Sequence, residues 1–443
     1  MRENFVKIVS FIKRIFINPN FQIGAVITII FFMYCITLNN VPFHPDEATY
    51  LYMSDDIEKV IDAPSSLFYR QGQSIDLKTH YRLMDPPMVT WVIGAGRLLT
   101  GISPIENDWD WTISWQQNLQ AGNMPTQQAI LIGRLSILLL FPFTCLFLYR
   151  ITKKLIHHWG GILAVLIFAL NPLIVLHTRH SMPDGILIFL IMSVYILMFD
   201  DKKHNVLIPI TIALAINSKQ TAIFMVPAYL IYFLWRNKGN KIFAWLKSAA
   251  SYIIVPLLLT FLLNPVSWAE PIPTITAAIN ERAILMQGID SFMQDNNPEK
   301  YNRTLPERFL SVTYHTFYES LALDDITNYR DDQQGSFDEY QNSIFHNHSR
   351  NLFMGTVNII FVLTAILIQF LHWFKKRKSS QSNLILWLMI YSTFMVSIFG
   401  LSFLSSIYQR YVIILLPFTS IFTSWLLTTV FSSIKKQPAK PVV

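Results

Sequence analysis

The sequence contains little cysteine and little charge for its length. Its 443 residues include only two cysteines, Cys35 and Cys145, and both lie inside apolar segments. A structural disulfide or a zinc site built from thiolates is therefore not expected. Charged residues make up 14% of the chain and hydrophobic residues 52%, whereas an ordinary soluble domain has about 25% charged residues. This composition indicates an integral membrane protein.

The net charge of +7 does not indicate a protein that binds nucleic acid. The basic residues form short clusters between apolar runs, and no basic stripe lies on a polar domain. Together with both termini, these clusters fall in alternate connections, which the positive-inside rule assigns to the cytoplasm. The side so assigned holds only three acidic residues, Glu3, Asp200 and Asp201. We therefore expect the working surface on the extracytoplasmic face of the cell membrane, surrounded by membrane lipids.

Apolar runs of sufficient length predict about ten membrane-spanning helices. We expect an all-α integral membrane protein with two large extracytoplasmic segments, 40–128 and 264–350, that carry short amphipathic helices. Met88–Thr100 is apolar but too short to cross, so it is expected to lie along the interface. The predicted spans lie near 21–39, 129–149, 159–177, 183–199, 205–217, 221–235, 242–263, 351–373, 383–401 and 410–431.

The expected division of the chain follows from these runs. The first run lacks a small-residue cleavage site, so it is expected to remain as the first span. No internal repeat or low-complexity tract divides the remainder. The expected parts are a basic cytoplasmic segment at 1–20, a transmembrane module at 21–263 that includes the loop 40–128, an extracytoplasmic loop at 264–350, a second transmembrane module at 351–431 and a cytoplasmic tail at 432–443.

Two adjacent carboxylates, Asp46 and Glu47, follow the first apolar run. Ionisable groups at a membrane boundary are costly to place and usually serve a function. Neighbouring side chains on a helix project about 100° apart, so both cannot face one substrate atom, and we expect one to react and the other to support it. The structural alternative is that both occupy the first turn of an external helix after Pro45, where carboxylates favour the positive end of the helix dipole.

Cations occur at three predicted connections on the same side. Arg179 is a natural ligand for a lipid phosphate, whereas nearby Asp184 fits a variant capping box with Ser181 as the cap. Lys219 lies in the connection between two short spans, and we expect it in a recess below the outer surface. The alternative is that its side chain snorkels to the interface from the end of a span. Arg410 begins the last span, and it too could be a phosphate ligand or a cation that snorkels from a span end.

The sequence leaves a divalent metal ion as an open alternative and indicates no firm cofactor. None of the histidines has the close helical spacing of a known zinc motif. Solvated or hydrogen-bonded histidines are therefore favoured over a metal centre. The residues that could surround an ion are His44, His80, His180, His346 and His348, with Asp46, Asp85 or Asp184.

The order of these features resembles the polyprenyl-phosphate-sugar-dependent glycosyltransferases of the protein O-mannosyltransferase and aminoarabinose transferase superfamily. The resemblance covers about residues 20–430 and implies the GT-C (type C glycosyltransferase) fold. The features are an acidic pair after the first span, Asp85-Pro86-Pro87 in the first external loop, Arg and Asp between the third and fourth spans, Lys between the fifth and sixth spans, and Arg410-Tyr411 opening the last span with Pro417 further on.

The resemblance implies a role for each residue. Asp46 would be the catalytic Asp, acting as general base on the acceptor hydroxyl, and Glu47 would be its partner. The candidates for binding the donor phosphate are Lys219, Arg410 and Arg179, and the candidate supporting residues are His44, Asp85 and Asp184.

The implied reaction is an inverting single displacement from a polyprenyl-phosphate-linked sugar donor. The acceptor could be a lipid, a glycan or a protein. The resemblance does not decide among them, because the loop 264–350 is too short for the β-trefoil domain that eukaryotic protein O-mannosyltransferases carry there. A transporter or flippase-like protein of lipid-linked glycans, without transferase activity, is the alternative. A secondary transporter would place its ionisable residues near the bilayer midplane and repeat one half in the other, and this sequence does neither.

Overall fold

The computed structural model describes residues 18–200, 206–296, 298, 301–323, 331–343, 350–375 and 381–435. Within these ranges the regular structure is entirely helical, with no strand, which confirms the all-α prediction. Most of the predicted basic amino-terminal segment, the carboxy-terminal tail from residue 436, and His346 and His348 lie outside the described residues.

The helices follow the chain from Pro19 to Lys435. Short 3-10 turns join several of them, at Leu38–Asn40, Met53–Asp55, Pro64–Leu67, Gln220–Met225, Pro265–Ser267 and Gln409–Leu415. The α-helices are α1 Pro19–Ile36, α2 Pro45–Tyr52, α3 Asp56–Asp62, α4 Leu77–Met84, α5 Met88–Thr100, α6 Trp115–Gln120, α7 Gln127–Leu138, α8 Phe141–Leu155, α9 His158–Ala169, α10 Pro172–His177, α11 Pro183–Phe199, α12 Leu207–Ile216, α13 Val226–Arg236, α14 Ile242–Leu263, α15 Pro271–Asn296, α16 Leu305–Phe317, α17 Gln334–Gln341, α18 Leu352–Lys375, α19 Gln381–Leu401 and α20 Leu416–Lys435.

Among the described residues, six helical stretches are long and apolar enough to cross a membrane, and shorter apolar helices accompany them. The chain is therefore a multi-pass membrane protein. The predicted number of about ten spans is not confirmed, because several apolar runs are divided into shorter helices. Pro172 and Pro227 each lie in the first turn of a new helix, where the missing N–H of proline is tolerated.

Two long helices show opposite relations to the core. In α14 only 6% of the residues in the most hydrophobic stretch of 18 are buried, and side chains such as Ile253 and Leu257 are exposed. A helix that is apolar all round in this way fits a hydrocarbon environment. The stretch Gln409–Ser432, which contains most of α20, is 78% buried over its most hydrophobic 18 residues. Helix α20 packs against α9 and α18.

Glycines allow close packing near the centre of the bundle. A Cβ atom on Gly133 of α7 would lie 2.6 Å from the Ser181 hydroxyl oxygen, and one on Gly185 of α11 would lie 2.6 Å from the Ile137 side chain. Small residues let helices approach this closely in membrane proteins. The approach brings the turn before α11 against α2, whose Leu51 also packs on Gly133.

The segment 40–128, which is predicted to be external, is hydrogen-bonded to two distant parts of the chain. Met88 donates its backbone N–H to the Asn217 carbonyl at 3.0 Å, and the Gln220 side-chain amide donates to the Met84 carbonyl at 2.7 Å. The segment is also joined to α15, because the His80 ring lies 2.7 Å from a Glu281 carboxylate oxygen. These contacts enclose the space between α2, α4 and α15.

Candidate active site

A cavity of 480 Å³ lies between α2, the end of α4, α15 and the turns that precede α13 and α20. Apolar and aromatic side chains form part of its wall, among them Trp111, Leu285 and Ile289. Its charged and histidine lining residues are His44, Asp46, His80, Asp85, Lys219, Arg282 and Arg410. All of these except Arg282 were named from the sequence, five as candidate catalytic, phosphate-binding or supporting residues and His80 as a possible metal ligand.

Asp46 and Arg410 form an ion pair at the cavity wall. Arg410 Nη1 donates to Asp46 Oδ2 at 2.6 Å, and the two residues are 364 positions apart in the sequence. Both side chains remain partly exposed. The His44 Nδ1 atom accepts a hydrogen bond from the Asp46 backbone N–H at 3.1 Å, which caps α2, and Pro45 opens that helix. A capped proline start fixes where the Asp46 side chain leaves the helix.

Glu47 lies behind this wall and does not line the cavity. Its fully buried carboxylate accepts two hydrogen bonds from Arg134, at 2.9 and 2.7 Å, and one from the Ser181 backbone N–H at 2.9 Å. Burial raises the pKa of Glu47, but the adjacent Arg134 charge and these hydrogen bonds lower it to about 2. Both carboxylates occupy the first turn of α2, as the structural alternative also predicts. Glu47 therefore fixes α2 against α7 and the turn before α11.

Lys219 and Asp184 form a second ion pair. Lys219 Nζ lies 2.7 Å from Asp184 Oδ1, and the Asp184 side chain is fully buried. The capping role predicted for Ser181 and Asp184 is wrong, since α11 begins at Pro183 with Met182 as its N-cap and has no side-chain cap. Proline favours the first helical position, which places Asp184 second, and its carboxylate is bonded to Lys219.

One aromatic ring, that of Tyr411, lies near two of the cavity cations, Lys219 and Arg410. Lys219 Nζ lies 5.1 Å from the centroid of the Tyr411 ring, and the Arg410 guanidinium carbon lies 5.8 Å from it. Cations within about 6 Å of a ring face are attracted by its quadrupole. Tyr411 thus helps to hold both positive groups at the same wall.

Arg179 is placed outside the cavity. Its fully buried guanidinium donates to the Thr37 carbonyl at 2.9 Å and the Thr37 hydroxyl at 2.7 Å, and to the Tyr340 hydroxyl at 2.8 Å. These bonds connect the end of α1 and the helix α17 to the end of α10. The structure therefore does not bring Arg179 to the other two candidate phosphate ligands.

Arg282 is a cavity cation that the sequence analysis did not single out. It lies on α15 together with Leu285 and Ile289, which are three and seven residues further along and line the same cavity. This spacing is typical of one helix face, and it is the only signal in the sequence that could have identified Arg282. Within the described part of the chain, the Arg282 guanidinium has no hydrogen bond or ion pair.

Three histidines lie in a row that runs from His44 at the cavity wall to the buried His180 and His177. The ring of His180 is 6.0 Å from that of His44 and 5.9 Å from that of His177. His180 Nε2 lies 3.1 Å from the Pro42 carbonyl, to which it donates. In the described ranges, no group of three or more His, Cys, Asp or Glu side chains is arranged to hold a metal ion. The described residues therefore offer no candidate site for the divalent ion that the sequence analysis considered.

Comparison with known proteins gives one family match and several structural matches. Residues 111–278 match the family described as dolichyl-phosphate-mannose-protein mannosyltransferase, a range that includes Asp184 and Lys219 but not Asp46 or Arg410. A search of the curated proteins gives no match.

The structural matches cover almost the whole chain. ArnT from Cupriavidus metallidurans, bound to undecaprenyl phosphate, matches with a TM-score of 0.52 and 13% identity over 92% of this chain and 59% of that one. The archaeal oligosaccharyltransferase AglB from Archaeoglobus fulgidus, in complex with an inhibitory peptide and a dolichol-phosphate, matches with a TM-score of 0.51 and 10% identity over 95% of this chain and 53% of that one.

The chain thus spans a little over half the length of these two proteins. At such low identities the similarity shows the fold. The chain has the GT-C fold, with a match to the mannosyltransferase family over residues 111–278, and this confirms the resemblance stated from its sequence.

Proposed function

We propose that the protein is a membrane glycosyltransferase. It transfers a sugar from a polyprenyl-phosphate-linked donor to an acceptor hydroxyl on the extracytoplasmic face of the cell membrane. The observation that carries this proposal is the convergence of Asp46, Lys219 and Arg410, from three distant parts of the chain, on one cavity of 480 Å³. The family match and the lipid phosphates bound by the structural neighbours support the same class of donor.

The physical character of the donor accounts for an enzyme in the membrane. A polyprenyl chain gains about 0.8 kcal/mol for each buried methylene, so it stays in the bilayer and only its phosphosugar is presented at the interface. Lys219, Arg410 and Arg282 all line the cavity. Together they would bind the phosphate and stabilise the negative charge that grows on it during transfer.

The reaction is a single displacement at the anomeric carbon. The acceptor oxygen forms a bond to that carbon while the bond from the carbon to the phosphate oxygen breaks, and the phosphate departs with the electron pair. Phosphate is already a good leaving group, so no general acid is needed, in contrast to glycoside hydrolysis with its two carboxylates. Asp46 takes the proton of the acceptor hydroxyl. Attack from the opposite face inverts the anomeric configuration.

Donor binding would also free the base. Asp46 Oδ2 accepts a hydrogen bond from Arg410 at 2.6 Å. A phosphate bound at Lys219 and Arg410 competes with Asp46 for the guanidinium, whose five N–H donors suit a phosphate. The carboxylate is then available to the acceptor only when a donor is present.

The proposal is tested with the purified full-length chain in liposomes. Undecaprenyl-phosphate donors that carry a radiolabelled hexose or pentose are supplied with a membrane lipid extract and with Ser/Thr-containing peptides as acceptors. Label that becomes covalently attached to an acceptor supports the transferase. Movement of the labelled carrier between leaflets without any attached label would instead support the flippase-like alternative and contradict the proposal.

A further inference from the structure

Asp85 differs from the other carboxylates around the cavity because it has no side-chain partner. Asp46 is paired with Arg410, and Asp184 is paired with Lys219. In the ranges that the structure describes, the Asp85 carboxylate forms no hydrogen bond and no ion pair, although it lines the cavity. A half-buried carboxylate without a partner is unfavourable for folding. A ligand group that donates a hydrogen bond would satisfy it.

The backbone on both sides of Asp85 is fixed. Its own N–H donates to the Tyr81 carbonyl at 2.8 Å and ends α4. The next two residues, Pro86 and Pro87, restrict the backbone, and the hydrogen bonds of Met84 and Met88 to the turn around Lys219 hold the segment from the other side. Asp85 is therefore pre-positioned relative to the cations.

Asp85 also marks the boundary with a second cavity. This smaller space, of 30 Å³, shares Thr49, Tyr50, Tyr81 and Asp85 with the main cavity, and it has room for about one water-sized group. None of the three main-cavity cations lines it. Arg82, which does, is bonded to Asp56 at 2.7 and 2.8 Å. The smaller cavity is thus poor in available positive charge.

The distribution of charge separates two ligand groups. The donor phosphate requires the cations, and a carboxylate without a partner would repel it. Asp85 also experiences the negative charge of Asp46. Burial raises the pKa of Asp85 above its ordinary value, and Asp46 adds to this effect, whereas the charges of Arg282, Arg410 and Lys219 oppose it. A hydroxyl or an amine suits this position, whereas a second anion does not.

We propose that Asp85 binds the acceptor. It accepts a hydrogen bond from a hydroxyl or amino group of the acceptor and holds the reacting hydroxyl beside Asp46. As a consequence, the site selects neutral or positively charged acceptors and rejects anionic ones. This inference rests on the proposed function for the identity of the bound molecule as an acceptor, but the binding preference can be measured without any transfer.

The test uses three small hydroxyl compounds of similar size and different charge. Ethylene glycol, ethanolamine and glycolate are added to the full chain in nanodiscs that contain undecaprenyl phosphate, and binding is followed by saturation-transfer difference NMR. We compare the unaltered chain with Asp85→Asn and with Asp76→Asn. The latter makes the same chemical change at the exposed other end of α4, where Asn can still cap the helix.

In the unaltered chain, ethylene glycol and ethanolamine are expected to bind and glycolate to bind at least about tenfold more weakly, the scale of a hydrogen bond to a charged group. Asp85→Asn should weaken ethanolamine binding by about the same factor and remove the discrimination against glycolate, while Asp76→Asn behaves like the unaltered chain. The thermal unfolding temperature of Asp85→Asn should not fall, because the substitution removes a charge that has no partner.

Equal binding of ethanolamine and glycolate to the unaltered chain would overturn the inference. So would an Asp85→Asn variant that binds all three probes as the unaltered chain does, or an absence of binding by both glycol and ethanolamine. If the expected preference is seen but no sugar is transferred from any polyprenyl donor, the proposed function fails and the binding site stands.

Discussion

Arg410 and Asp46 form a 2.6 Å hydrogen bond across 364 positions of sequence, which joins the start of the last apolar stretch that is long enough to cross a membrane to helix α2. The contact places a cation suited to phosphate and a carboxylate suited to a hydroxyl proton side by side. Lys219 lies near the same Tyr411 ring as Arg410. A donor phosphate bound by these two cations would therefore present its sugar next to Asp46.

Lys219→Met is expected to weaken carrier binding and to lower stability. The loss of Lys219 leaves the fully buried Asp184 carboxylate without its partner, and breaking a buried pair in this way costs about 3–5 kcal/mol. The double variant Lys219→Met/Asp184→Asn should regain part of the thermal stability but none of the carrier binding. Binding of undecaprenyl phosphate and the unfolding temperature are measured for both. Carrier binding restored by the second substitution would make Lys219 a purely structural residue.

Arg282→Gln should weaken carrier binding without loss of stability. Arg282 lines the cavity and has no ion pair within the described residues, so its removal breaks no direct contact with a carboxylate. Loss of a charge-assisted hydrogen bond predicts an affinity lower by about 10- to 100-fold. Arg303→Gln, an exposed change in the same external segment, is the control. Unchanged affinity in Arg282→Gln would remove this residue from the phosphate site.

Glu47→Gln should act mainly on stability, in a pH-dependent way. The pKa of Glu47 is lowered from 4.5 to about 2, so its ionised form stabilises the fold fully at pH values above 4.5. This contribution is lost progressively as the pH falls from there towards about 2. The difference in unfolding temperature between the unaltered chain and Glu47→Gln should therefore be largest near pH 7 and shrink below pH 4.5. A difference that does not change with pH would contradict an ionised Glu47.

The residues differ in how far the sequence could identify their positions. Asp46, Lys219 and Arg410 were predicted from charge at span boundaries, a local signal. Glu47 and Arg179 share that signal, yet the structure buries both, because their partners Arg134 and Tyr340 are 87 and 161 positions away. No local pattern reveals such partners. The number of about ten spans stays a prediction, since prolines such as Pro172 divide apolar runs that hydropathy alone treats as continuous.

The predicted topology can be tested with single cysteines. In a chain in which Cys35 and Cys145 are replaced, a cysteine introduced into 40–128 or 264–350 should react with a membrane-impermeant maleimide added outside the cell. A cysteine in the basic stretch Lys375–Lys378 or at either terminus should react only after permeabilisation. Reaction of the 264–350 loop only after permeabilisation would reverse the orientation and place the cavity on the cytoplasmic side.

The measurement that bears most directly on the account is sugar transfer by Asp46→Asn, which keeps the shape of the side chain and removes its capacity as a base. Turnover from an undecaprenyl-phosphate donor should fall by roughly 10²–10⁴-fold, the usual contribution of general base catalysis. Carrier binding, folded yield and the activity of the control Asp62→Asn, an exposed change at the end of α3, should stay nearly unchanged. Turnover of Asp46→Asn close to that of the unaltered chain would contradict the assignment of Asp46 as the base.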